Sequence, residues 1–254
     1  MLRMPARTST ETGMKQQPKR ILAALLLAAS VPVAAFADAA PAPAPANPDP
    51  WQGMNRKVYA FNKSVDTWFF KPVAKGYRAV TPQLVDDSIT RFFLNLEEPL
   101  HMVNNGLQGK AKASVQDLGR LVVNTATSLG FADLASRMGL PRHDEDFGQT
   151  LGYWGVKPGP YVVLPFLGPS DIRDGASLPL DAVVNPRNLV ESNSANAGLF
   201  VLDKVDFRAD LIPFEKIIEG DEYLLMRDLY LQRRDFLVHD GKVKDDFLDD
   251  VPEE

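Results

Sequence analysis

The 254-residue sequence contains no cysteine and only three histidines, His101, His143 and His239. The missing cysteine excludes disulfides, a catalytic thiolate and cysteine-ligated zinc within this sequence. The three histidines lie far apart, whereas zinc ligands recur at helical or turn spacing. The composition therefore argues against a thiol enzyme and against a zinc enzyme.

Other catalytic motifs are missing as well. No Gly-x-Ser-x-Gly elbow, phosphate-binding loop or dinucleotide fingerprint is present. The adjacent acids Glu97-Glu98 and Asp86-Asp87 would point about 100° apart on a helix, so neither pair converges on one atom. The run His143 to Asp146 is read as a solvated loop. We expect Ser170 or Asp171 to cap a short helix after Pro169, and we predict that the protein is not an enzyme.

Long apolar runs are also missing. The apolar run Ile21 to Ala29 has nine residues, well short of the roughly 20 that span a bilayer, and no other segment approaches that length. Basic residues precede this run, and the small-x-small pattern Ala35-Phe36-Ala37 follows it, so residues 1–37 are predicted to be a signal peptide cleaved after Ala37. Met14 stands directly before the compact signal and is a possible true start.

The remainder divides into three parts. Residues 38–50 form an Ala/Pro-rich linker, residues 51–239 one helical domain, and residues 240–254 an acidic tail that is expected to be disordered. Without residues 1–37 the chain has 23 basic and 32 acidic residues. This acidic balance argues against nucleic acid as a partner and against simple electrostatic adhesion to anionic lipids. Any membrane contact would then depend on apolar surface.

Helical periodicity dominates the domain, and the predicted fold class is mainly α. The predicted helices cover residues 51–70, closed by Pro72; a segment from about Pro82, capped by Thr81 and kinked or divided at Pro99; 114–129, stopped by Gly130; 189–205; and 221–239. Each apolar stripe could face a water-soluble core or lipid, and periodicity does not separate the two.

The segment from Phe147 to Asp174, FGQTLGYWGVKPGPYVVLPFLGPSDIRD, is rich in Gly, Pro and aromatic residues. Its glycines permit unusual backbone angles, its prolines fix others, and its aromatic residues suggest packed turns. We therefore expect a hairpin-like segment and not a helix, with a strand over Tyr161 to Leu164.

This segment resembles a motif of the MlaA (VacJ) family of outer-membrane phospholipid-trafficking proteins. Three other segments are similar to family motifs in the same order: DPWQGMNRKVYAFNKSVD at 49–66, NLEEPLHMVNNGLQG at 95–109 and RDLYLQRRDF at 227–236. Together they extend the resemblance over nearly the whole chain after the predicted signal peptide.

The resemblance implies a single domain of amphipathic helices, arranged as a ring in the inner leaflet of the outer membrane around a central amphipathic channel. It implies a component of intermembrane phospholipid transport that maintains lipid asymmetry by removing phospholipid from the outer leaflet. The implied partners are phospholipid, a trimeric porin and a soluble periplasmic lipid carrier, with no cofactor. Typical relatives are lipoproteins, so the missing cysteine is a departure, and a soluble periplasmic location stays open beside the outer membrane.

If the implied channel is present, the glycine-rich segment is the expected channel-facing or gating element. Its glycines would bring backbone close to a headgroup, Lys157 would bind phosphate, and two aromatic residues would anchor at the interface. The expected channel residues are Gly152, Tyr153, Trp154, Gly155, Lys157, Gly159 and Tyr161. Phe61 and Asn62 are expected to brace the first helix against this segment, and Arg173 and Asp174 to form structural ion pairs.

Two alternatives stay open. A non-transporting envelope or porin adaptor would share the fold without passing lipid. A periplasmic hydrolase would need a nucleophile and a base that converge on one substrate atom. For each of the expected channel and support residues, a role in local packing is the competing interpretation.

Overall fold

The computed structural model describes residues 47–217 and 220–242. The predicted signal peptide, most of the linker and nearly all of the acidic tail lie outside these residues. The described α-helices are α1 (Gln52–Val65), α2 (Lys71–Val80), α3 (Gln83–Leu107), α4 (Ala111–Ser128), α5 (Leu134–Arg137), α6 (Phe147–Tyr153), α7 (Ile172–Val184), α8 (Asn193–Leu211) and α9 (Glu222–Val238). Two strands, β1 (Tyr161–Leu164) and β2 (Gly168–Asp171), pair as an antiparallel hairpin. The prediction of a mainly α fold is confirmed.

The first helix does not end at Pro72. A π-helical turn at Asp66–Phe70 joins α1 directly to α2, and the carbonyl of Asp66 accepts from Lys71 N–H five residues later. Pro72 falls in the first turn of α2, where its missing N–H is tolerated. The prediction that Pro72 closes the segment was therefore wrong, because the wider turn accommodates the proline.

Helices α3 and α4 pack along each other on either side of a short connection. The N-cap position of α3 is Pro82 and not the predicted Thr81, and no side chain caps this end. The sequence predicted a kink or a division at Pro99; Pro99 lies inside one continuous helix, so the division was wrong. The predicted end of α4 is confirmed: Leu129 and Gly130 have φ of 54° and 89°.

The glycine-rich segment is part helix and part hairpin. Its first seven residues form α6, capped by Asp146, whose carboxylate accepts from Gln149 N–H at 2.7 Å. The expectation that the segment is not helical was wrong there, because this cap and its neighbours stabilise a short helix. The predicted strand at Tyr161–Leu164 is confirmed, and Asp171 caps α7 by accepting from Asp174 N–H at 2.8 Å.

Of the last two helices, α8 differs from prediction at both ends, whereas the final helix agrees. Residues Pro186–Leu189 form a 3-10 turn, and α8 begins only at Asn193, after the capping residue Ser192. It then runs to Leu211, six residues beyond the predicted end. The final helix, predicted for residues 221–239, is confirmed, with Asp221 as N-cap and His239 as C-cap.

The usual pattern of burial, with hydrophobic side chains inside and polar ones outside, is largely inverted in this domain. Among the described residues, 20 polar or charged side chains are buried, against nine hydrophobic ones, while 28 large hydrophobic side chains are exposed. In α4 the buried positions are Asp117, Arg120 and Asn124, whereas Val115 and Val122 of its apolar stripe are 68% and 56% exposed. The apolar stripe of α4 therefore faces outward. Within the described ranges, no helix combines the length and apolarity needed to cross a bilayer.

Two small hydrophobic clusters complete the interior. One joins Ala74 of α2 to Val205 and Ala209 of α8. The other joins β1 to α9 through Tyr161, Val163 and Tyr223. The end of the predicted linker belongs to this second region, because Asp49 is fully buried and accepts from the Tyr223 hydroxyl at 2.5 Å.

Candidate functional site

An apolar cavity of about 270 Å³ lies between the end of α1 and the π-helical turn after it, the hairpin tip and α8. Its apolar lining is Val65, Phe70, Phe166, Leu167, Phe207 and Leu211. One ion pair borders it, in which the Arg208 guanidinium donates to both carboxylate oxygens of Asp66 at 2.6 and 2.9 Å. Because these two charges satisfy each other, the wall is apolar apart from Asn62 and Lys204 and suits hydrocarbon.

A charged cavity of about 480 Å³ lies beside α3 and α8 and reaches the segment before α6 and a residue of α9. Its basic residues are Arg142, Lys204 and Arg233, and its acidic residues are Glu97, Asp144, Asp203, Asp206 and Asp210. Groups of both signs therefore line one space. Such a wall can contact both charges of a zwitterion.

The two cavities adjoin at Lys204 and Phe207, which line both. Helical geometry explains this: Lys204, Phe207, Arg208 and Leu211 follow the i, i+3, i+4, i+7 spacing of one helix face. The acids Asp203, Asp206 and Asp210 lie on the neighbouring face. Helix α8 thus presents one face to the apolar cavity and the next to the charged cavity.

Several charges in the charged cavity are already paired. Arg142 donates to Glu97 at 2.8 Å, Arg233 to Asp144 at 2.8 Å, and Lys204 lies 3.2 Å from Asp203. Asp206 instead accepts from the hydroxyls of Tyr77 and Thr90, both at 2.8 Å.

Burial raises the pKa of Asp206 from its ordinary value, although these two donors oppose the shift. The pKa of Asp210 is also raised, mainly by burial and then by the nearby negative charge of Asp86. Both carboxyls therefore keep their protons to a higher pH than an exposed aspartate does.

Asn62 and Phe61 contact the tip of the hairpin. The Asn62 side chain donates to Leu164 O at 2.9 Å and accepts from Phe166 N–H at 2.8 Å. The Phe61 and Phe166 rings meet edge to face, with centroids 5.2 Å apart. Phe166 has φ of 64°, an uncommon conformation for a non-glycine residue, and these contacts hold it there.

Most of the predicted channel residues lie elsewhere. Gly152, Gly155 and Lys157 line a third cavity of about 220 Å³, which shares no lining residue with the other two. Gly155 and Gly159 have φ of 90° and 73°, so both make the tight turns expected of them. The structure therefore separates this segment's lysine from the apolar and charged cavities.

The aromatic residues of that segment have different surroundings. Tyr153 is half exposed and has the Lys110 ammonium 5.6 Å from its ring centroid. The Trp154 indole donates to Leu107 O at 3.3 Å. Tyr161 needs a correction: it is only 1% exposed and packs among Tyr223 and Tyr230, so it has no surface with which to line a channel.

The expected solvated loop at His143–Asp146 is instead anchored. Glu145 is buried and accepts from Gln108 and Lys110 at 2.7 and 2.9 Å, and His143 Nδ1 lies 2.6 Å from an Asp117 oxygen. The interpretation as a solvated loop was wrong, because partners from α4 and from the connection before it satisfy these groups. No cluster of three potential metal ligands occurs among residues 47–217 and 220–242.

Sequence reasoning missed the residues at the junction of the two cavities. The predicted helix ended at residue 205, so Phe207, Arg208 and Leu211 were not recognised as one face with Lys204. Extending the helix to Leu211 would have revealed the i, i+3, i+4, i+7 set. For Arg142 and Arg233 the sequence carried no comparable signal, because both reach the cavity through tertiary packing.

Comparison with known proteins identifies the family. A sequence profile described as MlaA lipoprotein matches residues 47–237, so the chain belongs to the MlaA family, as the motifs predicted. The intermembrane phospholipid transport system lipoprotein MlaA of Shigella flexneri is 35% identical over 204 residues, covering 77% of this chain and 80% of that protein. The protein of the same name from Escherichia coli K12 is 34% identical with the same coverage.

A solved structure, from work on the structural basis for maintenance of bacterial outer membrane lipid asymmetry, also matches. Its TM-score is 0.67 at 32% identity, covering 75% of this chain and 98% of that chain. The likeness supports the single mainly helical domain with a small hairpin.

Proposed function

We propose that this protein is an outer-membrane component of intermembrane phospholipid transport, which maintains lipid asymmetry by removing phospholipid from the outer leaflet. The relatives named above are phospholipid transport proteins, and the family match covers most of the described chain. The observation that carries the proposal is the apolar cavity adjoining the charged cavity at Lys204 and Phe207.

This arrangement matches the two parts of a phospholipid. Acyl chains favour the apolar wall, whereas a headgroup stripped of water needs polar partners, because an unpaired buried polar group costs several kcal/mol. The basic residues of the charged cavity can contact a phosphate, and its carboxylates an amine. While a lipid moves past Lys204, its acyl chains would contact the apolar cavity and its headgroup the charged cavity.

The inverted burial supports a position within a lipid surface. Trp68, Val80 and Leu84 are 85%, 80% and 75% exposed, and water would disfavour so much apolar area. In a leaflet these side chains would contact acyl chains, while the buried polar residues form the interior. The protein would then lie in the inner leaflet of the outer membrane, beside a trimeric porin, and hand lipid to a soluble periplasmic carrier.

The test is removal of surface phospholipid in cells. A deletion strain should accumulate phospholipid that an added phospholipase can reach, and the wild-type gene should reverse this. Phe207→Glu should fail to reverse it, because a carboxylate at the junction repels phosphate and is poorly solvated beside acyl chains. Lys204→Glu should also fail.

Matched controls keep the result specific. Phe214 is 60% exposed, as is Phe207, but lines none of the three cavities. Because an exposed phenylalanine would itself contact acyl chains in a leaflet, the control there is the uncharged Phe214→Ala, which should restore function. Lys112→Glu changes an exposed lysine of α4 outside the cavities and should also restore it. Full function of Phe207→Glu and Lys204→Glu at normal protein levels would contradict the proposed path.

The adaptor alternative makes a different prediction. An adaptor that only stabilises a porin complex would not move lipid by itself, so purified protein and carrier would show no transfer from vesicles. Transfer that Phe207→Glu abolishes would favour the transport component.

The location is tested by washing isolated outer membranes at alkaline pH. Retention of the protein would support an embedded helical domain. Complete release would favour a peripheral protein and remove the leaflet position from the proposal.

A further inference from the structure

The third cavity has a basic lining that the proposed lipid path does not use. It lies where the end of α6, the turn Val156–Pro158, the start of α7 and the end of α9 meet. Lys157 is exposed at its rim, and Arg173 and Arg234 form part of its wall. Among the described residues, no carboxylate lies within ion-pairing distance of Lys157.

Arg173 is the most informative of these residues. It is 6% exposed, and its Nε and Nη2 each lie 2.9 Å from Asp174 Oδ1. Its third nitrogen, Nη1, has only a long contact of 3.5 Å to Val156 O. A buried guanidinium nitrogen normally makes shorter hydrogen bonds, so Nη1 has capacity for a further acceptor.

Gly152 explains why space exists beside that nitrogen. A Cβ at this position would lie 2.7 Å from Arg173 Nη1 and 2.9 Å from a Val238 methyl group. Any larger residue would therefore fill the space or displace the arginine. The glycine that the sequence motif supplies leaves Nη1 accessible from the cavity.

The lining carries more basic than acidic side chains, which favours an anion. Lys157, Arg173 and Arg234 are opposed by Asp171 and Asp235. The Asp171 carboxylate caps α7 by accepting from Asp174 N–H at 2.8 Å, and it lies 3.5 Å from Arg173 Nη2. Asp235 is 71% exposed and lies beside His239, so it is well solvated. Arg234 is already paired with Asp146 and Asp174, so the donors left for a ligand are Lys157, Arg173 Nη1 and the exposed ring of His239.

We propose that this third cavity is a binding site for a phosphate group, held between Lys157 and Arg173 Nη1. The group could belong to a phospholipid headgroup or be free inorganic phosphate, since both offer the same acceptor oxygens. Binding here does not require that the protein transports lipid, so the site can fail or succeed independently of the proposed function.

The test uses the purified full chain and NMR titration at constant ionic strength. Two probes are added separately: inorganic phosphate and glycerophosphoethanolamine, which carries the phosphodiester of a lipid without acyl chains. The amides of Gly155, Lys157 and Gly159 and the Arg173 side chain should shift with saturation. Stronger binding of glycerophosphoethanolamine would identify a headgroup site, and equal or stronger binding of inorganic phosphate a free-phosphate site.

Three variants decide whether the site is real. Lys157→Glu should weaken binding about tenfold or more, since one charge-assisted hydrogen bond is lost and a repulsion is added. Lys157→Arg should retain it, and Lys112→Glu should leave it unchanged. Lys157 is exposed, so all three variants should melt as the wild type does. No saturable shift with either probe, or equal binding by Lys157→Glu, would overturn the proposal.

Discussion

The side-chain oxygen of Asn62 accepts a hydrogen bond from the backbone N–H of Phe166 at 2.8 Å, across 104 residues of sequence. The amide nitrogen of the same side chain donates to Leu164 O at 2.9 Å. One asparagine of α1 thus holds the hairpin tip on either side of Pro165, and the tip residues Phe166 and Leu167 line the apolar cavity. The first helix thereby positions a wall of the candidate lipid path.

Asn62→Ala should loosen this tip. Two hydrogen bonds at a partly buried site are lost, which we expect to lower the free energy of unfolding by about 1–2 kcal/mol. Amide hydrogen exchange over residues 164–168 should accelerate more than exchange in α4. Ser64→Ala, two residues away and bonded only within its own helix, should leave the tip unchanged. Equal exchange in Asn62→Ala and wild type would show that the tip does not depend on Asn62.

Asn55→Ala should destabilise the whole domain. Asn55 is fully buried; it donates to Asp49 at 2.8 Å and to Tyr161 O at 3.1 Å and accepts from Val163 N–H at 3.0 Å. Because alanine leaves these partners unsatisfied, denaturant unfolding should show a loss of about 3 kcal/mol. The exposed Asn193, at the start of α8, supplies the control: Asn193→Ala should change stability by less than about 0.5 kcal/mol. Similar losses in both variants would rule out the special role of Asn55.

Gly148→Ala should also destabilise. An added Cβ would lie 2.7 Å from Arg234 Nη2 and would collide with the Asp174 carboxylate, so the Arg234–Asp174 pair would have to move. We expect a loss of about 1–3 kcal/mol, measured by chemical denaturation. Gly53→Ala, in open space within α1, should instead stabilise by up to about 1 kcal/mol. An unchanged denaturation midpoint for Gly148→Ala would mean that the Arg234–Asp174 pair can move without loss of stability.

Asp181 should make stability depend on pH. Burial raises the pKa of Asp181 to about 7, and the charge of Asp146 adds to this. Because this value exceeds the ordinary carboxyl pKa, the folded state retains a proton that the unfolded state releases. The contribution is fully present below about pH 4 and is lost as the pH rises through about 7.

Asp181→Asn should flatten that dependence. In the wild type, Phe147 N–H donates to the Asp181 carboxylate at 2.9 Å. The asparagine oxygen can still accept this hydrogen bond, but the side chain no longer titrates. The variant should therefore gain stability relative to wild type as unfolding is measured from about pH 5 to about pH 8. Parallel stability curves for the two proteins would contradict the raised pKa.

Much of the fold follows from local patterns. The final helix was predicted within one residue because Asp221 is a good cap and Gly241 follows its end. The strand at Tyr161–Leu164 was recognised as a short apolar run between two prolines. In both cases the determining interactions lie within a few residues of sequence, so a single chain displays them.

The errors come from an irregular helical turn and from long-range contacts. Pro72 ordinarily favours a helix end, and only the π turn before it allows continuation. The lysine singled out by the sequence, Lys157, lies in a separate cavity, whereas Lys204 lies at the junction of the other two. Nothing local distinguishes these lysines, since tertiary packing decides which space each one enters.

The π turn between α1 and α2 also has a consequence for helix phase. Such a turn acts as a one-residue insertion, and each residue advances an α-helix by about 100°. In an uninterrupted α-helix, the side chains of Asn62 and Ala74 would point about 120° apart around the helix axis. The inserted residue reduces this angle to about 20°. Asn62 can then hold the hairpin while Ala74 packs against α8 from the same side of one rod. The turn therefore works as a phase correction, which lets a single long helix keep one inward side over its whole length.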